Sequence, residues 1–299
     1  MFSFVVCSIH PQRAEALRRN LEATVGVPFE LIVKDNRGTG KGICQVYNEA
    51  AAEARFDLVG FLHEDIAFRT PDWGGIIAAQ LRQPSCGVIG FAGSSVKSRA
   101  LSGWAVRPGV CENYAQPDRK HPEVVHRFRT ENAPRNFAPA VCLDGLCLFV
   151  RREVWSEIRF DEQTFRGFHA YDLDFTTAVA RRYRNYVCMS VLVEHFSTGA
   201  YSRSWVRETM LYHDKWRDSL PMFAGEPLSA RETERMERRT EGYALRFLLR
   251  HALITREEAR RMVPPYLARY RWHFRSWQLW VHYRAHLNAL PENETAWEK

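Results

Sequence analysis

The chain has no Cys-x-x-Cys pair, no apolar run long enough to cross a bilayer, and no Gly-x-x-x-x-Gly-Lys-Ser/Thr loop. Each absence removes a class of protein. The seven cysteines (Cys7, Cys44, Cys86, Cys111, Cys142, Cys147 and Cys188) are scattered, several inside strand-like apolar runs, so neither a zinc site nor a disulfide framework is indicated. The run 2–9 lacks the basic flank and small-residue cleavage site of a signal peptide, and the expected location is cytoplasmic. Gly38-Thr39-Gly40-Lys41-Gly42 lacks the spacing of a phosphate-binding P-loop. With 299 residues the chain can bury a full core, as one large domain or a domain with an appendage.

Acidic charge is missing from one long stretch. No Asp or Glu lies between Glu258 and Glu292, where Arg260, Arg261, Arg269, Arg271, Arg275 and Arg284 alternate with Trp272, Phe274, Trp277 and Trp280. Residues 201–299 carry 18 Lys plus Arg against 13 Asp plus Glu, which accounts for most of the net charge of +7. Three readings of this segment stay open. Its aromatics can pack on the main domain with arginines snorkelling outward, attach the protein peripherally to the inner face of an anionic membrane, or form a homo-oligomer contact.

The first half alternates strand-like and helix-like patterns: strands at 2–8, 29–33 and 58–62, helices at 11–24 and 43–55. This spacing predicts right-handed crossovers and a parallel sheet whose ligands bind at the strands' carboxyl ends. Those ends carry His10, Asp35 and His63-Glu64-Asp65, polar groups that suit a nucleotide. A helix is predicted at 73–81 and a fourth strand at 87–91, followed by an unpatterned stretch over 94–139 of the kind that forms a functional excursion. Strand 146–151 and helices 153–158 and 173–184 follow, then one strand over 187–193 that delivers Glu194 and His195. Beyond residue 200 helices are predicted at 204–219, 230–251, 255–262 and 266–287, the last two split by Pro264-Pro265.

His63, Asp65 and His195 form a mixed nitrogen and oxygen ligand set. Imidazole suits borderline metals and carboxylate suits hard ones, so a Mn2+ or Mg2+ ion that also grips phosphate oxygens is the expected occupant.

The order of Phe4-Val5-Val6-Cys7-Ser8, Lys34-Asp35-Asn36, Tyr47-Asn48-Glu49, Phe61-Leu62-His63-Glu64-Asp65, Leu143-Asp144-Gly145, His169-Ala170-Tyr171-Asp172-Leu173-Asp174 and Glu194-His195-Phe196-Ser197 resembles family 2 inverting glycosyltransferases, more narrowly the streptomycin-biosynthesis type. The resemblance covers about residues 2–205. It implies an α/β nucleotide-diphospho-sugar transferase (GT-A) fold with a mostly parallel central sheet flanked by helices, and a helical, basic and aromatic extension over 206–299. It implies transfer of a sugar from a nucleotide-sugar donor, expected to be a uridine diphosphate sugar, to a hydroxyl of a glycan, lipid-linked carrier or small molecule.

By the same resemblance Asp35 and Asn48 face the nucleotide, with Ser8, His10 and Glu64 beside them. Asp65, His63 and His195 hold the metal. Asp172 is the catalytic base with Asp174 as its competitor, and Asp144, Gly145 and His169 lie near the donor sugar or acceptor. Plainer roles stand beside these: Asp172 and Asp174 as first-turn acids of a helix, and Asp144-Gly145 as a turn. The rival functions are a nucleotidyltransferase, a sugar-nucleotide binder without turnover, and a nucleic-acid-binding protein that uses the tail; nucleic acid is not the expected partner.

Overall fold

The computed structural model describes residues 1–117, 123–130, 136–197, 199 and 201–293. Phe2–Ser8 lies at the heart of the N-terminal half, parallel to Phe29–Asp35 on one side and Leu58–Leu62 on the other. Its alternate residues bury into opposite layers: Phe2, Phe4 and Val6 join Leu17, Trp73 and Phe149, whereas Val5 joins Tyr47, Phe61 and Phe160. Helices Pro11–Thr24 and Ile43–Ala52 supply the two crossovers. Gly60 is required between Phe4 and Phe149, because a Cβ there would sit 2.8 Å and 2.9 Å from their rings.

The central sheet has seven strands, in the order Phe137–Ala140, Arg184–Cys188, Cys86–Gly90, Cys147–Arg151, Leu58–Leu62, Phe2–Ser8 and Phe29–Asp35. Cys147–Arg151 runs antiparallel between Leu58–Leu62 and Cys86–Gly90. Cys147 enters opposite Leu62, at the carboxyl end of Leu58–Leu62, and so runs back down the sheet; Phe137–Ala140 does likewise at the edge, antiparallel to Arg184–Cys188.

The stretch over 94–139, without visible pattern in the sequence, supplies much of a second sheet. Its order is Cys142–Leu143, Ala92–Ser94, Val110–Pro117, Val193–His195 and Ile66–Phe68, with Val124–Arg129 on the free side of Val110–Pro117. Val110–Pro117 is buried through its first six residues, Glu112 and Asn113 included, so it shows no polar alternation. The single strand expected over 187–193 is instead two: Arg184–Cys188 closes on the central sheet and Val193–His195 joins the second. The preceding helix is correspondingly shorter, Tyr171–Ala180.

Four helices dominate the C-terminal part: Arg203–Lys215, Ala230–Arg250, Arg256–Arg269 and Phe274–His286. Capping boxes at Ser229/Glu232 and Thr255/Glu258 start the second and third. Pro264 and Pro265 do not break the third, contrary to the sequence expectation. A helix interior proline costs about 3 kcal/mol or more, but Ala259, Val263 and Tyr266 are buried against Leu245, Leu248 and Leu279, and the break falls instead at Tyr270–His273. Arg203–Lys215 serves both bodies, with Tyr212 in the core under the sheet and Val206 in the helical cluster. Among the described residues no helix is long and apolar enough to cross a membrane.

Candidate active site

Two strand ends converge. His63 follows Leu58–Leu62 directly, and its backbone N–H donates to Leu146 O at 3.1 Å. Three residues on, Ile66–Phe68 pairs antiparallel with Val193–His195, placing His195 opposite Ile66, and Phe196 N–H donates to Asp65 O at 2.9 Å. The ligand atoms of His63, Asp65 and His195 consequently lie within 4.8 Å of one another. An octahedral cation with bonds of about 2.1 Å needs ligand atoms roughly 3 Å apart when cis and about 4.2 Å when trans, so small rotations suffice.

The charge states fit such an ion. Burial alone would raise the Asp65 carboxyl, but His195 at 3.5 Å, His63 and Arg13 at 3.8 Å hold it below the ordinary carboxylate range. Burial, aided by the neighbouring His195, lowers the His63 imidazole and keeps it neutral, the form that ligates metal.

Tyr171 decides which His63 nitrogen is available. Its hydroxyl lies 2.7 Å from His63 Nε2 and 3.0 Å from Gly145 O. A carbonyl only accepts, so the single hydroxyl proton goes to Gly145 O and His63 Nε2–H must donate to Tyr171. Neutral His63 then carries its lone pair on Nδ1, free for a cation, in the arrangement by which outer partners orient ligating histidines. Gly145 is needed for this contact: a Cβ there would stand 2.1 Å from the Tyr171 hydroxyl.

Asp172 follows on the same helix turn. Gly145 N–H donates to it at 2.9 Å, and burial together with the charge of Asp144 pushes its carboxyl up to about 7. A carboxylate titrating near neutrality suits general-base work. Ala170, just before this helix, has a left-handed backbone (φ 57°), a strained turn that sets the angle at which Tyr171 and Asp172 enter.

The other carboxylate of the pair is different. Asp174 is 2% exposed, its oxygens taken by Lys215 Nζ at 2.8 Å and Trp216 Nε1 at 2.7 Å. The period of the helix turns it inward, away from Asp172, and its contacts tie this helix to Lys215 at the end of Arg203–Lys215 and to Trp216 just beyond it.

The remaining candidates divide. Ser8 Oγ donates to Glu64 at 2.6 Å, and His10 N–H donates to the same oxygen at 3.0 Å, so Glu64 ties the end of the first strand to the cluster. Asp144 accepts from Leu146 N–H at 2.9 Å in a tight turn and also lends its charge to Asp172. His169 N–H donates to Glu208 at 2.8 Å. Asp35 lies exposed at its strand end and is paired with Arg37, which holds its carboxyl down at about 2. Asn48 is buried and spends its amide within the fold: it donates to Phe160 O at 2.9 Å and Glu162 at 2.8 Å and accepts from Phe160 N–H.

Sequence reasoning missed Tyr171, Glu208 and Phe168. Tyr171 carried a signal, as a large residue inside the acidic motif; Phe168 is an exposed aromatic whose ring centroid is 5.7 Å from that of His63. Glu208 lies on a helix beyond any motif, and only packing brings it to His169.

The sequence profile described as "Glycosyltransferase like family" matches residues 3–212. The chain belongs to that family. This glycosyltransferase-like chain matches no curated protein. Among solved structures, GalNAc-T7 with UDP, GalNAc and Mn2+ is similar over 73% of this chain and 49% of its own, at 10% identity and a TM-score of 0.50. The chain therefore spans about half the length of that structure. The mannosyltransferase PcManGT of Pyrobaculum calidifontis, with GDP-Man and Mn2+, is similar over 96% of this chain and 85% of its own, at 13% identity and the same TM-score. At such identities the likeness is one of fold, and the fold is that of the GT-A nucleotide-sugar transferases. Five of the seven central strands run in one direction, in keeping with the mostly parallel sheet expected.

Proposed function

We propose that this chain is a cation-dependent, inverting glycosyltransferase that moves a sugar from a uridine diphosphate donor to an acceptor hydroxyl. The observation that carries the reading is the His63–Asp65–His195 cluster joined through Tyr171 and Gly145 to Asp172. The bound nucleotides and Mn2+ of GalNAc-T7 and PcManGT support a nucleotide-sugar donor and a divalent ion, Mn2+ or Mg2+.

His63, Asp65 and His195 would hold the ion, which when bound supplies Lewis-acid stabilisation of charge on the diphosphate leaving group. Asp65 brings the negative charge, and His63 is presented with Nδ1 free. Asp172 takes the acceptor proton on its carboxylate. With Asp174 held by Lys215 and Trp216, Asp172 is the member of this acid pair left to act as base, and a single base suits one in-line displacement and hence inversion. Ser8, His10 and Glu64 would border the nucleotide, Asp35 its base, and Asn48 would shape that side through the 160–162 turn. Asp144, Gly145 and His169 would border donor sugar and acceptor. Residues 1–205 would form the transferase domain and 206–299 its extension.

Calorimetric titration of uridine diphosphate with and without Mn2+, on the parent and Asp65→Ala, tests the reading, with guanosine diphosphate alongside because PcManGT holds GDP-Man. The expected result is uridine diphosphate binding that needs both Mn2+ and Asp65. Tighter guanosine diphosphate binding would overturn the donor base, and silence of both nucleotides the transferase reading.

A further inference from the structure

We propose that the outward face of the helix Phe274–His286 docks on an anionic lipid surface, holding the protein flat against a membrane. Nothing in this inference depends on the reaction proposed above. At 100° per residue, Ser276, Leu279 and Tyr283 share the inward side of this helix, and Ser276 and Leu279 are buried, Leu279 in the cluster with Leu245, Val263 and Tyr266. Phe274, Trp277 and Val281 fall on the opposite side, 62%, 67% and 41% exposed, with Trp280 beside them and Trp272 just ahead of the helix at 89%. A convex ridge of three large apolar side chains aimed straight at solvent costs hydration energy with no return in the isolated chain, and marks an interaction surface.

The charges around the ridge choose the occupant. The guanidinium of Arg271 lies over Trp272 at 5.3 Å, that of Arg275 over Phe274 at 5.7 Å and that of Arg284 over Trp280 at 5.8 Å. Among the described residues none of these three arginines is within ion-pair distance of a carboxylate, and no acidic residue lies between Glu258 and Glu292. Each cation therefore rests on a ring that can sink into an acyl boundary while the arginine turns to a lipid phosphate. Tryptophan, phenylalanine and arginine on one helical face are the make-up of helices that lie in the membrane interface. A second copy of the chain suits this face poorly, because a two-fold contact would set the same unpaired arginines against each other. The helix has 13 residues, about 20 Å long, and would lie along the surface rather than cross it.

The test is co-sedimentation of the full chain with vesicles of phosphatidylcholine and phosphatidylglycerol at 7:3, against phosphatidylcholine alone, at 0.15 and 0.5 M NaCl. We expect at least tenfold stronger binding to the anionic vesicles, weakened by salt, and a further tenfold or greater loss in Trp277→Glu at an unchanged melting temperature. The proposal falls if the parent does not bind anionic vesicles or if Trp277→Glu binds them as well as the parent. It falls equally if light scattering shows a dimer that Trp277→Glu dissociates without any vesicle binding. Preference for a single-stranded oligonucleotide over the vesicles would also overturn it.

Discussion

Replacing Tyr171 by Phe removes one oxygen from a side chain that is 3% exposed and breaks two hydrogen bonds, at 2.7 Å to His63 and 3.0 Å to Gly145. Leaving a buried donor or acceptor without its partner costs about 1–3 kcal/mol. The melting temperature should therefore fall by several degrees, at roughly 2–4 °C per kcal/mol for chains approaching this size. The larger effect should be on the cation. Without the hydroxyl, nothing fixes the Nε2–H tautomer of His63, and lost outer partners of ligating histidines cost about 10–100-fold in metal affinity. Calorimetry with Mn2+ alone measures this before any acceptor is known, and nitrogen chemical shifts of His63 report the tautomer. Unchanged Mn2+ affinity together with an unchanged tautomer would refute the argument, even if the protein melted lower.

Asp172→Asn should lower transfer, or donor hydrolysis in the absence of acceptor, by about 10²–10⁴-fold while leaving Mn2+-dependent nucleotide binding intact. Because burial and Asp144 raise the Asp172 carboxyl to about 7, and the base must be ionised, the rate should climb as pH rises through about 7 and level off above it. Asp144→Asn removes the repelling charge and should move that rise to lower pH; a pH–rate profile that does not move would exclude Asp172 as the titrating group. Asp174→Asn should act on stability instead, by about 1–3 kcal/mol through the Lys215 and Trp216 contacts, which denaturant melts would measure. A variant as stable as the parent but without activity would return Asp174 to the chemistry.

Much of the site could be read from the sequence because strand periodicity and strand ends are local properties. An apolar strand running into His63-Glu64-Asp65 needs no tertiary knowledge to be placed at a carboxyl edge, and the crossovers through Pro11–Thr24 and Ile43–Ala52 follow from patterns within single segments. What failed to show was whatever depends on partners distant in the chain. Val110–Pro117 pairs with strands from three other regions and is buried through its first six residues, so its own residues carry no alternation, and the proline pair at 264–265 is tolerated only because Val263 and Tyr266 find Leu245 and Leu279.

Local pattern along the chain was enough for the alternating α/β order, the strand-end cluster of metal-ligand types, the basic aromatic tail and the short list of carboxylates that could act as base. Folding was needed to bring His195 to Asp65, by pairing Val193–His195 with Ile66–Phe68 across 130 positions of chain numbering (65 to 195). It also separated Asp172 from Asp174: two residues on a helix differ by about 200° in direction, so one faces Gly145 and the other is locked to Lys215 and Trp216. Pattern can place two acids in one helical turn, but which of them meets Lys215 and Trp216 and which remains beside the cluster is settled by what packs on each side.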